Sequence, residues 1–115
     1  MVKEQTIDGQ ASLQVNTNLT AAQKFLQELW EEHVGYEFAT HNTEDTLATM
    51  VEDAYVNNIP VMTGGVGKPA LREFYSKYFI PQMAPDTELT PISRTIGTDQ
   101  LVDEMLLNPV LSLWK

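Results

Sequence analysis

The chain has 115 residues, 43% hydrophobic and 20% charged, which is the length and composition of one globular domain. Its 16 acidic and 7 basic residues give a formal net charge of −9, which repels phosphate backbones and excludes nucleic acid as a partner. The absence of cysteine excludes disulfides, thiol catalysis and cysteine-ligated zinc.

Residues 1–18 are polar, carry no sustained helical or strand period and lack the apolar core of a signal peptide. A flexible leader on a cytoplasmic protein is expected. No apolar run approaches the length that crosses a bilayer, so no membrane partner is expected. The sequon Asn18-Leu19-Thr20 is read as accidental in the absence of a secretion signal. Thr20 and Gln23 have the spacing of a capping box, in which each side chain satisfies the other residue's orphan amide. From there Phe25, Leu26, Leu29, Trp30, His33 and Tyr36 recur at helical steps and predict a helix with one buried stripe. Gly35 weakens its last turn, and His41-Asn42 ends it.

Asn42 or Thr43 caps a second, shorter helix, TEDTLATMV, with acidic residues in the first turn where the helix dipole favours them. Residues 54–61 turn β-branched and aromatic with period two, a strand, and Thr63-Gly64-Gly65-Val66-Gly67 reads as a turn. Pro69 suits the first position of the next helix, where its missing amide hydrogen costs nothing. Leu71, Phe74, Tyr75, Tyr78 and Phe79 then form one apolar face that is expected to be core. Ile80-Pro81 stops that helix, and Met83-Ala84-Pro85-Asp86 is a loop. Residues 87–96 and 101–107 read as two strands joined by a hairpin turn at Gly97-Thr98-Asp99-Gln100. Residues 108–115 form an atypical apolar tail in which Pro109 interrupts the strand and Trp114 is left to be covered.

The succession helix, short helix, strand, glycine turn, helix, strands resembles the SnoaL-like family of the nuclear transport factor two-like superfamily. The residues that carry the resemblance are Glu52-Asp53 before the first strand, Ala54-Tyr55-Val56, and the stretch GKPALREFY, in which Gly67, Lys68, Ala70, Leu71, Phe74 and Tyr75 match the family's pattern. It covers roughly residues 20–107. The resemblance implies an α+β fold, a curved antiparallel sheet packed on about three helices as a cone-shaped α+β barrel, open to a largely apolar pocket. The domain is expected over residues 19–107 and incomplete, because family members carry about two further strands beyond this point. Relatives include ketosteroid isomerases, polyketide cyclases and scytalone dehydratases, and members that only bind or dimerise. Carried over residue by residue, the isomerase's proton-shuttling carboxylate falls near Asn57-Asn58, which cannot take up a proton at neutral pH. Tyr36 corresponds to the oxyanion-hole tyrosine, and the acid that partners it has no counterpart.

Among the residues themselves, His33 lies beside the helical stripe with Glu37 one turn on, within reach to orient the imidazole. One reading makes His33 a general acid or base steered by Glu37; the other makes it a core-edge histidine satisfied by its neighbour. His33, Glu37 and His41 stand at successive four-residue steps, but the helix drifts about 40° at each, and no metal or other cofactor is expected. Gly64-Gly65-Val66-Gly67-Lys68 lacks the first glycine and the hydroxyl residue of a phosphate-binding loop. Arg94 alternates with Ile92 and Ile96, and a buried cation there needs Asp103 or Glu104 across the hairpin. The ligand-contact candidates are thus Trp30, Tyr55, Asn57, Asn58, Arg94 and Asp103, with His33, Glu37 and Tyr36 as catalytic candidates. The expected ligand is small and apolar or carbonyl-containing. The expected function is a pocket protein with acid–base chemistry at His33 or, alternatively, a non-catalytic binding or dimerisation module or an inactive shortened product. An unfinished sheet leaves edge groups that favour a homodimer through the sheet.

Overall fold

The structure, a computed structural model, describes residues 18–59, 62–84 and 86–108 in full and residues 2–6 and 12–16 as backbone. Pro60, Val61, Pro85 and residues 109–115, on which parts of the expected strand, loop and apolar tail fall, lie outside the described residues. The fold is α+β, with the described strands in two separate sheets. The chain divides into two compact units, one holding the described residues through Glu31 and from Asp86 on, the other those from Glu32 to Ala84.

In the first unit, β1 (Val2–Thr6) and β2 (Ser12–Asn16) pair antiparallel, so the stretch expected to be an irregular leader contains two strands. The VKEQT of β1 carries no strand period, whereas in β2 Leu13 and Val15 alternate with Ser12, Gln14 and Asn16, a period-two signal over five residues that pairing with β1 completes. The helix α1 (Ala21–Phe38) begins at the expected capping box: the Thr20 amide donates to Gln23 Oε1 at 3.0 Å and the Gln23 amide to Thr20 Oγ1 at 3.1 Å. The strands β5 (Glu88–Ile96) and β6 (Leu101–Asn108) form the expected hairpin, closed by the Gly97 amide donating to the Gln100 carbonyl at 2.7 Å. The sheet runs β1-β2-β5-β6, with β2 parallel to β5 at Gln14 and Ser93 and the other pairs antiparallel. The β5–β6 register slips between Pro91 and Ser93, where a proline with no amide hydrogen interrupts the ladder.

The second unit starts within α1 and continues through α2 (Thr43–Ala48), which is capped by Asn42 Oδ1 accepting from the Asp45 amide at 2.9 Å. The strand β3 (Tyr55–Asn58) pairs antiparallel with β4 (Thr63–Val66), so the glycine-rich segment read as a turn is a strand. The reason is steric. A Cβ at Gly64, where φ is +148°, would stand 2.0 Å from the Val56 carbonyl oxygen, and one at Gly65 would press on Ala70 at 3.1 Å. The glycines here permit close backbone approach. The true turn is Gly67, at φ +84°, which leads into α3 (Lys68–Glu73) with Pro69 in its first turn as expected.

The helix then widens into a π-helical segment, Phe74–Phe79, where the Ile80 amide reaches back five residues to the Tyr75 carbonyl at 3.0 Å. Leu47, Leu71, Phe74 and Tyr75 form the core of this unit, with Met50, Ala54, Val56, Phe79 and Ile80 packed against it. Tyr78, expected in that core, is 48% exposed. An α-helical step of about 100° per residue put it on the core face, and the π segment changes that step. Phe25, expected on the buried stripe of α1, is 66% exposed; the rest of that stripe, Leu26, Leu29, Trp30 and His33, is half-buried as expected, together with Gln23 and Gln27, and Glu37 is buried.

These contacts rank two glycine substitutions. Gly64→Ala is expected to cost about 2 kcal/mol or more through the carbonyl clash. Gly35→Ala, with nothing within 4 Å of the added Cβ in the helix interior, is expected to gain up to about 1 kcal/mol. Urea denaturation of both variants measures the two signs.

Candidate functional site

Three groups of side chains gather the sequence candidates. The first is in the second unit. His33 and Glu37, one turn apart on α1, are both largely buried, with 12% and 9% of their side chains exposed, and His33 Nε2 stands 3.3 Å from Glu37 Oε2. His33 Nδ1 lies 2.6 Å from Thr49 Oγ1, and Thr49 Oγ1 in turn donates to the Thr46 carbonyl at 2.6 Å. A carbonyl only accepts and a hydroxyl has one hydrogen, so the Thr49 hydrogen is committed to Thr46 and His33 Nδ1 must be the donor to Thr49. The Nε2 side then faces the Glu37 carboxyl group. Tyr75 packs edge-on to the imidazole, with centroids 6.3 Å apart. Burial first, then the Glu37 charge and a hydrogen bond to Glu37, push the Tyr75 phenol far above its ordinary value.

Tyr36 does not join this group. It donates to Glu32 Oε1 at 3.3 Å on the exposed side of α1, and the Glu32 carboxylate, with some desolvation, raises its phenol. His41 lies past the end of α1 and is exposed, at φ +55°. Among the described residues no group of acidic and histidine side chains is arranged to hold a metal ion.

The second group is in the first unit. Arg94 is 9% exposed. Its Nε and Nη2 donate to the two oxygens of Asp103 at 3.0 and 3.1 Å, and its Nη1 donates to Glu31 Oε2 at 2.8 Å and Gln27 Oε1 at 3.5 Å. Trp30 Nε1 donates to Asp103 Oδ2 at 2.8 Å. Burial alone would lower the guanidinium, but the hydrogen bonds and charges of Asp103 and Glu31 outweigh it and leave Arg94 raised. Asp103 is thus the partner of Arg94, while Glu104 accepts from Ser93 Oγ at 2.9 Å. Arg94, Asp103 and Trp30 come together, and they hold one another.

The third group is a hollow of about 420 Å3 on the β3–β4 hairpin of the second unit. Ile59, Met62, Val66 and Tyr78 give it apolar walls, and Asn57 and Asn58 contribute amides. Thr63 also lines it, and its buried hydroxyl has no hydrogen-bond partner among the described residues. Tyr55, 69% exposed, is not part of the lining, and neither is His33. The His33–Glu37 pair and the hollow are therefore separate features. Sequence reasoning missed Thr49, read as helix, and Tyr75, read as core. A hydroxyl two residues before the strand-side loop and a phenol inside an apolar run are weak signals, because their partners lie far away in sequence.

Two measurements follow from this geometry. The folded state keeps Tyr75 protonated beyond the ordinary value of 10.0 at which the unfolded chain ionises it. Its contribution is therefore complete below pH 10.0 and declines as the pH rises further. In an alkaline titration followed by phenolate absorbance, Tyr75 should ionise only together with unfolding, and Tyr75→Phe should flatten the loss of stability above that pH. Asp103→Ala leaves the Arg94 guanidinium buried with a single carboxylate and is expected to cost about 3 kcal/mol. Urea denaturation measures the loss, and a shift of the Trp30 emission reports the broken indole bond.

Comparison with family models, with curated proteins and with solved structures gives no match, so the site is read on its own geometry.

Proposed function

We propose that the protein is a non-catalytic small-molecule-binding module whose ligand occupies the hollow on the β3–β4 hairpin. The observation that carries this reading is the lining: apolar walls from Ile59, Met62, Val66 and Tyr78, with Asn57 and Asn58, whose side chains alternate across β3, and no carboxylate or imidazole among the described lining residues. Amides orient a carbonyl or hydroxyl by hydrogen bonding and transfer no proton at neutral pH. The volume falls near the lower end of the roughly 300–1,000 Å3 typical of small-ligand sites. A small, largely apolar ligand bearing a carbonyl fits this chemistry. The order of elements from α1 to β6 supports a SnoaL-like scaffold, and the cone-shaped barrel of that family belongs to the same proposal.

A second reading rests on a different observation, the buried contact between His33 and Glu37. A histidine held as the Nδ1–H tautomer and steered by a carboxylate is equipped for acid–base catalysis. Against it, both ring nitrogens are engaged by protein groups and the pair does not line the hollow.

Nile red and 2-cyclohexen-1-one are suitable probes. Saturable binding, with amide chemical-shift changes confined to β3, β4 and Tyr78, is expected, and a Met62→Lys/Val66→Lys variant, altering residues 83% and 76% exposed, should abolish it without lowering the melting temperature. Conversion of 3-cyclohexen-1-one to its conjugated isomer should not exceed the buffer rate. Turnover that disappears in His33→Gln would establish the second reading, and the absence of saturable binding would sink the first.

A further inference from the structure

We propose that the protein self-associates through the edge of β6, two copies of the strand pairing antiparallel about a two-fold axis at Met105. This does not rest on the ligand reading, which concerns the other unit. Among the described residues β6 has a strand neighbour on one side only, β5. A strand of eight residues, LVDEMLLN, therefore presents alternate amides and carbonyls along its outer edge. Proteins blunt such edges with lysine, proline, bulges, very short strands or charged residues. The strand β6 has none of the first four, and of its two charges the Asp103 side chain is buried against Arg94, leaving Glu104 as the exposed one. Its exposed face carries Val102 and Leu106, 64% and 58% exposed, on either side of Glu104.

Symmetry selects the register. A two-fold axis perpendicular to a sheet leaves each face on its own side, so a residue of β6 can stand opposite only residues of its own parity in the second copy. Centring on Glu104 sets two glutamates directly against each other, and centring on Asp103 does the same with aspartates and shortens the overlap. Like charges directly opposite are destabilising. Centring beyond Met105 leaves a shorter paired stretch. Centring on Met105 pairs residues 102–108 and sets Glu104 opposite the partner's Leu106, Asp103 opposite the partner's Leu107 and Val102 opposite the partner's Asn108. Asp103 enters this arrangement already neutralised by Arg94. The chain's net charge of −9 opposes association, so the dimer should tighten as salt screens it.

Sedimentation velocity of the full chain over a concentration series is expected to show a reversible monomer–dimer equilibrium that strengthens with added sodium chloride. Val102→Lys/Leu106→Lys, at two exposed positions, should weaken it by roughly tenfold or more with an unchanged melting temperature. Because the chain has no cysteine, single cysteines report the register. Directly opposed residues stand about 4.5–5.5 Å apart at Cα, within the span of a disulfide. An oxidised mixture of Glu104→Cys and Leu106→Cys should therefore yield the mixed disulfide in excess of either homodimer. A chain that sediments as a monomer throughout, a dimer indifferent to the two lysines, or a Glu104→Cys homodimer exceeding the mixed species would each overturn the proposal.

Discussion

The structure depends on satisfying a polar face of α1 that is turned away from water. Along that face come Gln23, Gln27, Trp30, His33 and Glu37, and each finds its partner within its own unit. The Gln23 amide donates to the Ile96 and Gly97 carbonyls, Gln27 accepts from Arg94 beside the exposed Glu31, and the Trp30 indole donates to Asp103. His33 and Glu37 contact each other and reach Thr49 and Tyr75. A buried polar group without a partner costs far more than a satisfied one contributes. The polar face therefore acts by exclusion: arrangements that strand any of these groups are penalised. Arg94 shows this most sharply. Its cation is tolerated in a largely buried position only because the β5–β6 register sets it directly opposite Asp103 while Glu31 approaches from the helix. A slip by one residue would send Asp103 to the other face of the sheet and leave the guanidinium with half its carboxylates.

Function turns on a separation inside the second unit. Proton chemistry needs a titratable pair and a place for substrate at the same spot, within hydrogen-bond reach of one another. Here the titratable pair is packed under aromatic rings and bonded to protein groups, while the hollow is open, apolar and lined by amides. The π-helical segment contributes to both, with Tyr75 turned to the buried pair and Tyr78 to the hollow. A wall that can orient a carbonyl, set apart from a pair that could move a proton, favours binding over turnover.

Local signals in the sequence were legible and held up. The capping box at Thr20 and Gln23, the Asn42 cap, Pro69 in the first turn of α3 and the β5–β6 hairpin all stand where their spacing put them. Each acts within a few residues, where side-chain type and backbone geometry are directly coupled. The departures have separate causes. Phe25 is apolar yet exposed, while α1 half-buries Gln23 and Gln27 beside Leu26 and Leu29. Gly64 and Gly65, expected in a turn, stand in a strand because their missing Cβ atoms admit Val56 and Ala70. β1 lacks apolar alternation, and β2 alternates over only five residues, a signal too short to mark a strand before its pairing is known.

The sequence by itself determined an acidic, cysteine-free α+β chain, the starts of its helices, and the pairing need of Arg94 with an acid across the hairpin. Only the tertiary structure decided which groups meet. Trp30 and Asp103 are 73 residues apart, and Arg94 and Glu31 are 63 apart. His33 meets Thr49 as well as the expected Glu37, and the asparagines line a hollow that the histidine does not reach. The physical reason is that helix caps and turns are fixed by short-range sterics and hydrogen bonds, whereas the partners of buried polar groups are chosen by burial itself. That choice is made only once distant segments have come together and water has been excluded from between them.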